Sequence, residues 1–215
     1  MLEIFKNGGP VMYPLALCSI ISLTIIIERT LFWIKTGMQR NQKLVDRVLE
    51  LSRKGEWEGV KKAASGSNNY VVRMIVSGIL HREYSMIKAM EASAADEINR
   101  MQKFMGGLDT MITIAPLMGI LGTVIGIISS FDMLGTSGIE NPQAVTGGIA
   151  QALITTATGL SIAIITVFPY NYFNSRIKRA AGIMEKYATS FEIVYNQILL
   201  HHKDDPGDIH ENKTA

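Results

Sequence analysis

The sequence has little charge and almost no cysteine, and both shortages exclude classes of protein. Of its 215 residues, 19% are charged, against roughly 25% in an ordinary soluble domain. The single cysteine, Cys18, excludes a scaffold held by disulfides. A net charge of +2 gives no reason to expect nucleic acid as a partner. No HExxH, GxSxG, CxxC or P-loop motif occurs, so we expect neither an enzyme nor a bound metal or cofactor.

Charged residues are missing altogether from three stretches of the chain. None lies between Lys6 and Glu28, between Asp109 and Asp132, or between Glu140 and Arg176, which are gaps of 21, 22 and 35 residues. About 20 apolar residues cross a bilayer as a helix, so the sequence predicts three transmembrane helices. A secretory signal is the poorer interpretation of the first stretch, because its positive charge follows the apolar run.

The positive charges predict the orientation. The loop 132–143 contains no Lys or Arg, and only Lys6 precedes the first span. The region 29–103 contains 14 and the chain from 176 onward contains 6. Because Lys and Arg concentrate on the cytoplasmic side, the N-terminus is expected in the periplasm and the C-terminus in the cytoplasm.

Apolar periodicity indicates helices outside the membrane as well. Residues 38–51 form a short amphipathic pattern, 65–69 is a turn or cap signal, and a stripe from Ile87 to Leu108 continues into span two, with Gly106-Gly107 as its only weak point. The predicted fold is all-α: a polytopic membrane protein with three transmembrane helices, two of them extended into a cytoplasmic helical bundle. Its predicted segments are an outward N-terminus with helix 1 (1–35), a cytoplasmic helical region (36–107), helix 2 (108–131), a short outward loop (132–143), helix 3 (144–173), a cytoplasmic helix extension (174–200) and a disordered tail (201–215).

Small and polar residues mark spans two and three. In span two, Gly119, Gly122 and Gly126 lie on or beside one helix face with Thr123, a pattern typical of close helix packing. Span three carries polar residues that should avoid hydrocarbon and face protein or a water-filled lumen. They are Gln151, Thr155 and Thr158 on one face, with Thr156 beside Gly159 on the next. Gly159 is expected to pack against span two, as the three glycines of span two are expected to pack against span three.

Hydroxyls and amides can relay protons, but they cannot hold one near neutral pH. Spans two and three contain no carboxylate, and Glu28 is followed at once by Arg29, which favours an interfacial charge pair. A proton pathway built on this chain therefore needs a titrating group from another subunit. A packing interface without any transport role explains the small-residue face of span two equally well.

Four segments of the sequence resemble the MotA/TolQ/ExbB proton channel family, most closely its ExbB/TolQ branch. They are GGPVMYPLALCSI, IIIERTLFW, APLMGILGTVIGIISSF and GIAQALITTATGLSIAIITVFPYNYF. The resemblance implies an inner-membrane homo-oligomer, expected to be a pentamer, around an ExbD/TolR-like single-span partner with a membrane Asp. It also implies that Thr123 and Thr156 are pore threonines, and that Gln151 stands where some ExbB proteins have a pore glutamate.

The leading hypothesis is thus a proton-conducting subunit of an energy-transducing motor in the lipid bilayer, with Thr123, Thr156, Gln151 and Thr155 along the route. A structural scaffold that conducts nothing and a sodium-driven relative are the alternatives. The process that such a motor energises is not predicted.

Overall fold

The computed structural model describes residues 8–38, 42–54, 56–64, 67, 69–81, 84–137 and 142–204. Within these ranges the chain forms seven helices and no strand, which confirms the all-α fold. The helices are α1 (Met12–Met38), α2 (Gln42–Arg53), α3 (Trp57–Ala64), α4 (Tyr70–Leu80), α5 (Met86–Gln102), α6 (Met105–Ser137) and α7 (Pro142–Asp204).

Three helical stretches are long and apolar enough to cross a membrane, as the sequence predicts. They are Met12–Thr36, Met86–Gly135 and Thr146–Ile193. The chain divides into two compact units, 1–31 with 102–175 and 32–101 with 176–215. The first unit contains the larger part of α1, all of α6 and the first half of α7.

One buried cluster of the first unit lies around the start of α1. Leu15 and Ala115 are completely buried there, and Met118 and Ile154 pack against this cluster. The opposite side of α1 carries large exposed apolar side chains spaced three or four residues apart, which are Tyr13, Leu17, Ile20, Leu23, Ile27 and Leu31. Such a row covers one helix face and is suited to lipid or to other apolar helices.

The second unit has a buried apolar core. Helices α2 to α5 and the distal half of α7 enclose Val48, Val72, Ile75 and Met184, each at most 1% exposed. The predicted cap is present, since Asn69 precedes α4 and its Oδ1 accepts a hydrogen bond from the Val71 N–H at 3.0 Å. The predicted amphipathic helix is α2, with Val45 and Val48 buried.

The structure differs from the sequence expectation at the start of the second span. The helix does not weaken at Gly106-Gly107 but stops at Lys103 and Phe104 and restarts at Met105. Phe104 has a φ of +66°, a left-handed conformation that a right-handed helix cannot contain. The Phe104 carbonyl then accepts hydrogen bonds from the Gly107 and Leu108 N–H groups and so begins α6.

Two other boundaries depart from the predicted segments. Helix α6 continues through Ser137, six residues past the predicted end of helix 2, and α7 begins at Pro142 and ends at Asp204. Residues 201–204, the start of the predicted disordered tail 201–215, are therefore helical. The rest of that tail, 205–215, and the rest of the predicted outward loop, 138–141, lie outside the described residues.

Candidate functional site

Glycines on α6 and α7 bring the two helix backbones into contact. A Cβ atom added at Gly126 would lie 2.7 Å from the Gly148 carbonyl oxygen, and one at Gly119 would lie 3.0 Å from the Thr155 carbonyl oxygen. On the α7 side, a Cβ at Gly159 would lie 3.1 Å from the Gly119 Cα. No larger side chain fits at these three positions without a shift of the opposite backbone, which is the purpose of small residues at helix contacts in membranes.

A pair of hydroxyl groups lies inside this contact. The Thr123 and Thr156 side chains hydrogen-bond each other across the two helices, and both residues are half-buried. The Gly119 carbonyl oxygen lies 3.1 Å from the Thr156 Oγ1 and 3.2 Å from the Thr123 Oγ1, so it is a second acceptor for the same two hydroxyls. The structure therefore brings together the two threonines that the sequence places in different spans.

Thr155 is adjacent in sequence but sits differently. It is completely buried, and its hydroxyl donates to the Ala152 carbonyl at 2.8 Å within its own helix. Its side chain fills the space opposite Gly122, where a Cβ atom would overlap it. In this chain Thr155 is thus a packing residue of the contact, with no exposed surface toward a lumen.

Gln151 is not brought to the threonine pair. Its amide lies against Gly9, just before α1, where an added Cβ would be 3.2 Å from the Gln151 Oε1 and closer still to its nitrogen. Gly9 has a φ of +67°, a conformation natural to glycine. The segment preceding α1 can therefore approach this amide closely.

Sequence reasoning assigned glycines to the α6 side of the contact but missed most of the α7 side. Gly148, Ala152, Thr155 and Gly159 recur at spacings of four, three and four, and each of them meets a glycine of α6. Gly148 meets Ser130, whose buried hydroxyl donates to the Gly126 carbonyl at 2.9 Å. The spacing is visible in the sequence, but the polar residues of span three point to transport and so draw attention away from packing.

The predicted charge pair also forms a contact in the first unit. Arg29 is 2% exposed and donates two hydrogen bonds to the Glu28 carboxylate, one of them from Nη2 to Oε1 at 2.6 Å. The Arg29 guanidinium carbon lies 5.7 Å from the centre of the Phe104 ring, at the break before α6. A carboxylate and an aromatic face thus surround the buried cation.

The contact between α6 and α7 is free of charged side chains. No charged residue occurs at 110–131 or 141–175, so the contact offers only hydroxyls and backbone carbonyls. Among the described residues, no cluster of His, Cys, Asp and Glu could hold a metal ion. The site can donate and accept hydrogen bonds, but it cannot store a proton near neutral pH.

The fold and the site together define a polytopic helical membrane protein with a close, charge-free helix contact that carries a hydroxyl pair. Residues 66–186 match the MotA/TolQ/ExbB proton channel family. The chain belongs to this family, and its relatives place it in the ExbB/TolQ branch.

The relatives cover the chain to different extents. An ExbB-like protein of Synechocystis sp. (ExbB-like 3) is 32% identical over 197 residues, 88% of this chain and 92% of its own length. An ExbB homologue of Methanothermobacter thermautotrophicus is 32% identical over 180 residues, 82% of this chain and 64% of its own. The Tol-Pal system protein TolQ of Pseudomonas aeruginosa is 34% identical over 118 residues, 55% of this chain and 51% of its own.

Proposed function

We propose that this chain is the proton-conducting subunit of an inner-membrane complex that couples proton-motive force to work across the periplasm. Its partner is an ExbD/TolR-like protein with a single membrane helix that carries an Asp. The observation that carries the proposal is the Thr123–Thr156 pair, half-buried in a part of the membrane region where this chain has no charge. The similarity to known proteins supports membership of the family, whereas the partner and the conduction of protons are what we propose.

A hydroxyl pair suits the titrating Asp of the partner, called the guest below, because a hydroxyl is both donor and acceptor. It donates to the guest when the Asp is a carboxylate, and it accepts from the guest when the Asp is protonated. A buried carboxylate without such a donor is costly, and a hydrogen bond to a charged group contributes about 1.5–3 kcal/mol. The pair can therefore stabilise both states in turn without changing its own charge.

The roles proposed for the other residues follow from their burial. Thr155 maintains the α6–α7 contact, since its hydroxyl is enclosed and bonded within α7. Gln151 is proposed to hold the segment before α1, through its contact with Gly9, and to reach the proton route only if the assembled ring exposes its amide. The glycines at 119, 122, 126 and 159 keep the two helices close enough for Thr123 and Thr156 to meet.

The proposed assembly is a homo-oligomer around the partner helix, with five copies as the family resemblance implies. It is supported by the large apolar surface that one copy leaves exposed on α6 and α7. This surface includes Leu121, Ile128, Phe131, Leu153 and Ile165. The region 29–103 and the chain from 176 onward are proposed to be cytoplasmic and the N-terminus periplasmic, because these two regions contain 20 of the 21 Lys and Arg residues.

The test is proton flux through the chain reconstituted with its single-span partner in vesicles that contain a pH-sensitive dye. Thr156→Val keeps the shape and removes the hydroxyl, so the flux should fall about tenfold or more if a hydrogen bond to a charged guest is lost. Thr156→Ser keeps the hydroxyl and should retain most of the flux. Thr158→Val is the matched control, because that hydroxyl donates to Ile154 at 2.7 Å within its own helix.

The same reconstituted vesicles distinguish the proposed proton channel from a non-conducting scaffold and from a sodium-driven relative. A non-conducting scaffold has one observation in its favour, namely that the Thr123, Thr155 and Thr156 hydroxyls already have acceptors inside the chain. It predicts no flux from the wild-type complex and no difference among the variants. A sodium-driven relative predicts a current that disappears when Na⁺ is replaced. Flux that is equal in wild type and Thr156→Val contradicts the proposed role of the pair.

A further inference from the structure

A cavity of about 180 Å³ in the second unit lies beside the last turn of the first span. Lys35 and Thr36 on α1, Arg73 on α4, and Glu97 and Arg100 on α5 contribute to its lining. The candidate membrane span in α1 ends at Thr36, so the cavity lies beside the end of this span. The proposed proton route makes no use of it.

The lining is strongly cationic. It contains three cations and one carboxylate, and that carboxylate, Glu97, is already paired with Arg73. The net charge of the lining is therefore +2. Glu97 uses Nη2 of the Arg73 guanidinium, whereas the buried Nε has no hydrogen-bond partner among the described residues, so Arg73 retains unused donor capacity. Lys35 and Arg100 are both exposed residues of this lining.

The apolar surroundings of the cavity fit a ligand that is only partly polar. Phe32 also lines it, and Ile34 in the same helix turn is 53% exposed on the apolar surface of α1. A ligand with an anionic head and apolar chains could place the head between the cations and the chains along α1. Basic pockets beside membrane helices at the charge-rich side bind phospholipid headgroups for this reason.

We propose that this cavity binds the phosphate group of an anionic phospholipid, with Lys35 and Arg100 as its two solvent-exposed clamps. The site fixes the end of α1 to one leaflet of the bilayer. It is independent of proton conduction, so it stands whether or not the Thr123–Thr156 pair serves a guest.

The test is native mass spectrometry of the purified full chain in detergent, titrated with phosphatidylglycerol or with phosphatidylcholine of the same acyl chains. The double variant Lys35→Gln/Arg100→Gln should bind phosphatidylglycerol about 25-fold more weakly, which is about fivefold for each cation removed. Lys178→Gln/Arg179→Gln removes the same net charge at two exposed positions outside the cavity, and it should change the affinity by less than about twofold. The conservative variant Lys35→Arg/Arg100→Lys should retain binding.

Three outcomes would overturn the proposal. Equal loss in the two Gln double variants would show general electrostatic attraction and no site. Equal binding of phosphatidylcholine and phosphatidylglycerol by the wild type would remove the role of the anionic head. Displacement of phosphatidylglycerol by an equal concentration of inorganic phosphate would assign the cavity to a soluble phosphate and not to a lipid.

Discussion

The close contact of α6 with α7 makes a quantitative prediction for Gly126→Ala. Alanine is favoured over glycine in a helix interior by about 1 kcal/mol, so propensity alone predicts that this change stabilises the protein. The added Cβ, however, would lie 2.7 Å from the Gly148 carbonyl oxygen and 3.0 Å from the Ala152 Cβ. Such overpacking costs about 1–3 kcal/mol, because a backbone carbonyl cannot move without its helix.

Gly182→Ala is the matched control for the same substitution. Gly182 lies in the interior of α7, and an added Cβ there meets nothing within 4 Å. The propensity gain is common to the two variants, so their difference in stability isolates the steric cost at Gly126. For a chain of this size, a difference of about 1–3 kcal/mol corresponds to Tm values about 2–12 °C apart, with Gly126→Ala the lower.

Thermal unfolding of the purified chain, followed by tryptophan fluorescence, measures this difference. Gly182→Ala should unfold above the wild type. If Gly126→Ala is stabilised as much as Gly182→Ala, the two helices do not approach as closely as the structure has them, and the contact that aligns Thr123 with Thr156 is wrong.

Three further predictions concern the helix ends and the surface. Phe104→Ala should lower the Tm by about 2–8 °C relative to Phe104→Gly, because both lose the ring that faces Arg29 but only glycine adopts the φ of +66° without strain. Asn69→Ala removes the cap of α4 and should lower the Tm by about 2–4 °C in the same assay. The Lys54 ammonium donates a hydrogen bond to the Glu50 carboxylate and lowers the pKa of that carboxyl. The pair therefore stabilises the fold at pH values above the unfolded-state pKa of Glu50. This contribution is lost as the pH falls through the folded-state pKa. Because both groups are exposed, Glu50→Gln should change the Tm by less than about 1 °C at pH 7, and the difference should vanish in acid.

The membrane part of the fold could be predicted because its physical signal is strong. A bilayer excludes charge over about 20 helical residues, so three long uncharged stretches leave little choice of structure. The short helices α3 and α4 could not be predicted in the same way. They are 8 and 11 residues long, and Tyr70–Leu80 is a short, mostly apolar run that belongs to the core of its unit. A short apolar run does not distinguish a buried helix from a strand.

The sequence predicts the helix break before α6 at the wrong residues, because its local pattern does not mark the residue that interrupts the helix. Two glycines are the usual sign of a weak helix, and Gly106-Gly107 is such a pair. In the structure both glycines remain helical, and the left-handed residue is Phe104, whose ring contacts Lys103 and Arg29 at 4.9 and 5.7 Å. Phe104 thus adopts a conformation that its own backbone preference disfavours, and its contact with Arg29, 75 residues away in the chain, is one that no local pattern reports.

The neighbouring threonines at 155 and 156 show what decides the role of a hydroxyl in this site. Adjacent residues on a helix point about 100° apart, so a sequence can place both threonines in span three but cannot say which one faces the second helix. The close approach of Gly122 encloses Thr155, and the same approach leaves Thr156 half-exposed beside Thr123. A rotation of α7 by one residue would carry Thr156 into the enclosed position that Thr155 now occupies, and would bury the proposed contact of the guest. The glycines that fix this rotation therefore matter to the proposed proton route as much as the threonines that they align.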